Sequence, residues 1–176
     1  MKRIVLAVLL LGLGVQIGEA KVNTKVEQAV KGSFAKVDAI EPKRLILTKA
    51  QFAKVQKAAK AKLETKVYRY YVFKSGGTVV GYGVLIARKV RTKKATVLYA
   101  FTPEGTLKFA EIMAFGEPPE YIPNDTWMGQ FKEKPKSAPL KMGSDVPTIS
   151  GATLSARSIT DGARVARAIF QYAIKQ

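Results

Sequence analysis

Five hydroxyls crowd into the stretch TISGATLSARS, where Thr148, Ser150, Thr153, Ser155 and Ser158 stand within residues 148–158. A helix start needs one capping side chain, Ser, Thr, Asp or Asn, to satisfy a free backbone N–H. The surplus fits a second task. A helix N-terminus presents unpaired N–H groups and a positive dipole end, a ready site for phosphate. Gly151 permits close approach of the backbone, and Ala152 adds almost no bulk. Thr148, Ser150, Thr153 and Ser155 can then serve a bound phosphate as well as a cap. Ordinary capping is the plain alternative.

Other chemistry is narrowed by absence. The 176 residues include no Cys and no His. That excludes disulfides, iron–sulfur clusters, haem attachment through C-x-x-C-H, thiol nucleophiles, Ser-His-Asp triads and histidine metal sites. Side-chain catalysis would rest on Lys, Tyr, Asp or Glu, so a chemically active chain of this kind borrows a cofactor. The net charge of +17 favours anionic partners such as phosphate ligands, membrane surfaces and acidic proteins. No nucleic-acid motif is present, so no nucleic acid is expected among them. Lys54, Lys57, Lys60 and Lys62 read as the solvated side of a helix.

The elements that must position these residues follow in order. MKRIVLAVLLLGLGVQIGEA has a basic start, an apolar run from Ile4 to Ile17 and a small-x-small end, the layout of a signal peptide over residues 1–20 with cleavage after Ala20. The mature protein is expected to be periplasmic or otherwise exported, and associated with the inner membrane if the segment stays as an anchor; a buried core helix is the third reading. Residues 22–32 read as a short helix closed by Gly32, and 43–47 as a short apolar strand after Pro42. Thr48 and Gln51 form a capping box ahead of Phe52, Val55, Ala59 and Leu63 at helical spacing. From residue 67 the period becomes that of strands, and VYRYYVFK, TVVGYGVLIARKV, ATVLYAFT and TLKFAEIMAF joined by short turns make a four-stranded meander. Gly81 and Gly83 mark a bulge or a close approach to the backbone. After Phe115 comes an irregular stretch rich in Pro and Gly, but its Tyr121, Trp127 and Phe131 argue against disorder. Within it Asn124 or Asp125 can cap a short helix. The last helix, about 155–174, offers Ile159, Ala163, Ala166, Ile169, Phe170 and Ala173 to the core and lets Arg157, Arg164 and Arg167 project elsewhere. The fold class is therefore α+β, an antiparallel β-sheet meander flanked by N-terminal and C-terminal helices.

SGATLSARSITDGA resembles the signature of the FMN-binding domain family, which includes the periplasmic flavin subunits of the Rnf and sodium-pumping quinone reductase complexes and the flavin domain of NosR-like regulators. Gly81-Tyr82-Gly83 in a strand, the Glu117-Pro118 loop and W-M-G-Q-F at 127–131 resemble elements of that family in the same order. The likeness covers roughly residues 66–172, leaving 21–65 as an N-terminal helical segment. It implies FMN as cofactor, electron transfer as the work, and a redox partner protein such as a membrane electron-transfer complex. It further implies that Thr153 is joined to FMN through the flavin phosphate by a flavin transferase that uses FAD, displacing AMP. Tyr121, Trp127 and Phe115 are then candidates for the wall of the isoalloxazine ring, with Glu117 as a polar contact; core packing is the alternative for each. The family motif usually has Asp six residues before its threonine, where this chain has Pro147, and its nearest acid is Asp145. That departure keeps open a non-covalent flavin sensor or interaction module. A basic periplasmic binding protein for anionic lipid or polysaccharide, without redox activity, is a further alternative.

Overall fold

A computed structural model describes residues 22–175. The expected signal peptide lies outside the described residues. Among those described, no helix is long and apolar enough to cross a membrane.

Helix α1 (Thr24–Ser33) starts at Asn23, whose side chain accepts the Lys25 N–H at 2.9 Å, and buries Val26 and Val30 one turn apart. Strand β1 (Ala39–Ile46) follows, then α2 (Lys49–Ala59). The capping box at α2 forms as its residue types require, with Thr48 and Gln51 each satisfying the other's backbone N–H at 3.0 and 3.2 Å. Then come β2 (Val67–Ser75), β3 (Thr78–Lys89), β4 (Lys94–Phe101) and β5 (Leu107–Phe115). All neighbours pair antiparallel in the order β1-β2-β3-β4-β5.

The sheet thus has five strands rather than four. β1 is longer than the 43–47 run and contains Pro42, which an edge strand tolerates because its outer side needs no donor. Through β1, residues 22–65 share the sheet of the strands that follow. The register slips between Phe73 and Lys74, leaving Val80 as the extra residue of a bulge on β3. Close approach operates beside it, since a Cβ on Gly81 would meet the Phe34 ring at 2.6 Å and one on Gly83 the Phe73 ring at 2.7 Å.

Alternation along the strands sends two apolar sets to opposite faces. A short helix α3 (Asp125–Met128) follows the sheet, and Val84, Ile86, Val97 and Tyr99 join α2 and the last helix, α4 (Thr153–Ile169), in the larger core. Phe73, Leu98 and Ala100 join Val26, Val30 and Phe34 under α1. α4 continues as a π-helical turn over Phe170–Ile174. It is tied to the sheet by the Tyr99 hydroxyl, which donates to the Ile159 carbonyl at 2.7 Å, and by the Ser158 hydroxyl, which donates to the Lys89 carbonyl at 3.1 Å.

Of the arginines expected to project from α4, only Arg157 is exposed. Arg167 is 8% exposed and donates to the carbonyls of Pro135, Lys136 and Ala138. Arg164 donates to Ala59 O, Leu140 O and Asp161 at 2.9, 3.0 and 2.6 Å. The reason is the irregular stretch itself: its carbonyls lack ladder partners, and a buried guanidinium supplies several donors at once.

Candidate functional site

The site is built where the irregular stretch enters α4. Gly151 has φ +80°, a left-handed conformation that L side chains rarely adopt, and so turns the chain into the helix. The N-cap position falls on Ala152, and no side chain caps the helix. The expected hydroxyl cap does not form. Thr153, the first helical residue, instead points its hydroxyl back to the Ile149 carbonyl at 3.1 Å. The backbone N–H groups of Thr153, Leu154 and Ser155 therefore have no acceptor among the described residues, and the first helical bond runs from Ala156 N–H to Ala152 O. Ser155 is 1% exposed, and its hydroxyl makes no hydrogen bond with the described residues.

These groups open onto a cavity of about 330 Å³ lined by Val90, Arg91, Glu117, Tyr121 and residues 151–155. A second cavity, of about 510 Å³, lies across the same loop and holds Trp127, Thr148, Ser150, Pro147 and Ile122, with Ala152 shared between the two. Both volumes are of the size that small-molecule ligands occupy. The sequence candidates therefore divide. Thr153, Ser155, Gly151, Ala152, Glu117 and Tyr121 meet in the first cavity, while Thr148, Ser150 and Trp127 line the second. Phe115 lines neither; it ends β5, paired with Ala95.

Three of the candidate or neighbouring polar side chains are already engaged. The Glu117 carboxylate accepts the backbone N–H groups of Arg91, Thr92 and Lys93 at 2.9, 2.5 and 2.7 Å, and the Thr92 hydroxyl at 3.2 Å. The Lys93 N–H and the other donors hold its pKa down at about 2, against an opposing penalty from burial. Trp127 is 7% exposed, sits edge-on to Phe131, and donates its indole N–H to the Pro147 carbonyl at 2.9 Å. Asp145 is likewise committed, accepting the N–H groups of Leu140 and Lys141 at 3.0 and 2.6 Å.

The donor set fits a flavin nucleotide. Three free amides and the Ser155 hydroxyl line the cavity where a phosphate would sit, with Thr153 at its edge, and Tyr121, Leu154 and Val90 offer apolar surface beside them. Nothing in the sequence alone marks Arg91 or Leu154 as part of the site. Arg91 stands in an ordinary-looking RTKK turn, and only the fold carries that turn to the end of α4. Among the described residues no cluster of His, Cys, Asp and Glu could hold a metal ion.

No curated protein matches the chain. Among solved structures it is similar to the crystal structure of Shewanella oneidensis NqrC, with a TM-score of 0.56 and 15% identity over 86% of this chain and 87% of that one, a likeness of fold. Residues 92–168 match the family model described as FMN-binding domain, a span that runs from the turn before β4 almost to the end of α4 and takes in Glu117, Tyr121, Trp127 and Thr153. Residues 92–168 are thus similar to the FMN-binding domain, and FMN is the cofactor this similarity supports.

Proposed function

We propose that the chain is an exported electron-transfer flavoprotein that works with a membrane electron-transfer complex and carries FMN with its phosphate at the N-terminus of α4. The uncapped helix end carries this reading: three free amides and the unpaired Ser155 hydroxyl open into a cavity with Tyr121 in its wall. The dipole end and the amides bind the phosphate, and Tyr121, Leu154 and Val90 shield one side of the ring from water. When bound, the flavin takes up and releases electrons one or two at a time.

Thr153 is the proposed attachment point. Its hydroxyl is exposed at the cavity and bonded only to the Ile149 carbonyl. Loading by a flavin transferase joins the Thr153 oxygen to the flavin phosphate of FAD, with AMP leaving and the hydroxyl proton released. In protein co-expressed with a competent transferase and its own export route, yellow colour should survive denaturation and migrate with the polypeptide. Intact mass should then correspond to a chain starting at Lys21 plus FMN. Thr153→Val should abolish attachment with little effect on folding, and Ser155→Ala should leave it intact. Colour lost from the wild type on denaturation overturns the covalent claim.

A second reading, tight non-covalent binding, is favoured by Pro147 and Asp145. Pro147 occupies the place of the usual Asp, and the Asp145 carboxylate is tied to two backbone amides, so it is not free to replace it. Pro147→Asp keeps the carbonyl that Trp127 uses and should raise attachment if the missing acid limits it.

A further inference from the structure

We infer that Arg91 reads the phosphate of the bound flavin nucleotide and that Glu117 is the residue that positions it, an inference that rests on the flavin reading above. Arg91 lies in the turn between β3 and β4, which closes with the Val90 N–H bonded to the Lys93 carbonyl at 2.9 Å. It lines the first cavity with Thr153, Leu154 and Ser155. No carboxylate of the described residues lies within ion-pair distance of its guanidinium.

An exposed turn would ordinarily leave such a side chain on a shifting base. Glu117 removes that freedom, because one carboxylate oxygen accepts three successive backbone N–H groups of the turn. Successive amides converging on one point form an anion nest, and here the anion is the protein's own. The turn has therefore spent these three backbone donors internally, and what it offers the cavity is the Arg91 charge. The α4 end supplies neutral amides and partial charge; Arg91 adds a full charge and a planar fork that can hold two phosphate oxygens. Glu117 thus serves the site without having to touch the flavin.

The test uses the full chain in a Thr153→Val background, where FMN binds reversibly. Affinities for FMN and for riboflavin, which lacks the phosphate, are measured at several salt concentrations. Arg91→Gln should weaken FMN about tenfold, leave riboflavin unchanged and flatten the salt dependence of FMN binding; Arg91→Lys should recover most of the loss. Glu117→Gln should weaken FMN selectively, and should add nothing once Arg91 is Gln. Equal losses for FMN and riboflavin, or an unchanged salt dependence in Arg91→Gln, overturn the phosphate role. A Glu117→Gln effect that persists in full beside Arg91→Gln overturns the positioning role. Binding of neither flavin by the parent, with colourless wild type from the same expression, overturns the flavin reading and this inference with it.

Discussion

Glu117 also couples the site to pH. In an unfolded chain its carboxyl would titrate near 4.5, and in the folded protein it titrates near 2 because three amides favour the charged form. A depressed folded pKa contributes stability above the unfolded value, and that contribution is lost as pH falls from 4.5 through about 2. The difference in melting temperature between wild type and Glu117→Gln should therefore be constant in neutral solution and close as the medium is acidified across that window; a gap that widens there would be the wrong sign. The aromatic pair separates at the same scale. Tyr121 is half-buried in the first cavity, whereas Trp127 is 7% exposed with its N–H already bonded. Tyr121→Ala should relieve quenching of bound flavin with little loss of stability. Trp127→Ala should cost about 3–5 kcal/mol in denaturant unfolding, because it empties a packed position beside Phe131.

Among the elements, α4 has the most exacting surroundings. Gly162 lies in its interior, where Ala would ordinarily be better by about 1 kcal/mol. Here a Cβ would stand 2.5 Å from the Tyr99 hydroxyl and 3.2 Å from the ring carbon that bears it. Tyr99 is 1% exposed and bonded to the Ile159 carbonyl, so it has nowhere to retreat. Steric cost outweighs propensity, and Gly162→Ala should destabilise by about 1–3 kcal/mol, measured as a lower urea midpoint at unchanged slope. Thermal stabilisation by this substitution would contradict the packing. Such a constraint cannot be read from sequence, because Tyr99 and Gly162 meet only through the fold. What is legible is local: the Thr48–Gln51 box, the turn at Gly76-Gly77, and the strand period from residue 67. β1 is half legible, since Pro42 looks like a break until the strand proves to be an edge. The irregular stretch is the least legible element, because Arg164 and Arg167 hold its carbonyls from α4 while Lys134 holds the Asp145 carbonyl within it. The phosphate-like end of α4 was visible as crowded hydroxyls, whereas its lack of a cap was not, since Thr153 turns its hydroxyl toward the chain behind it.

For the whole molecule, charge decides how the site is approached. The chain carries +17, and α2 shows Lys49, Lys54 and Lys57 with no acid to offset them. Several of the acids are engaged within the chain: Glu117 and Asp145 on backbone amides, Asp161 on Arg88 and Arg164, and the more exposed Glu41 on Lys43 and Lys74. The surface that remains is cationic, and an acidic redox partner would be steered toward it before any contact forms. Exposed Leu154 and Ile122, 47% and 44% accessible, sit at the mouths of the two cavities and give an encounter something apolar to settle on. Steering weakens as the Debye length shortens from about 30 Å at 0.01 M to about 8 Å at physiological ionic strength. Stopped-flow reduction of the flavin-loaded protein by an acidic electron-transfer protein should therefore slow by about tenfold over that range. Reduction by a neutral small molecule, which feels no such field, should keep its rate. Replacing Leu154 with Ser should lower the protein-partner rate at every salt concentration without changing its slope, because it removes contact and not charge. Equal salt dependence for the acidic and neutral reductants would show that the positive surface has no part in bringing electrons to the site.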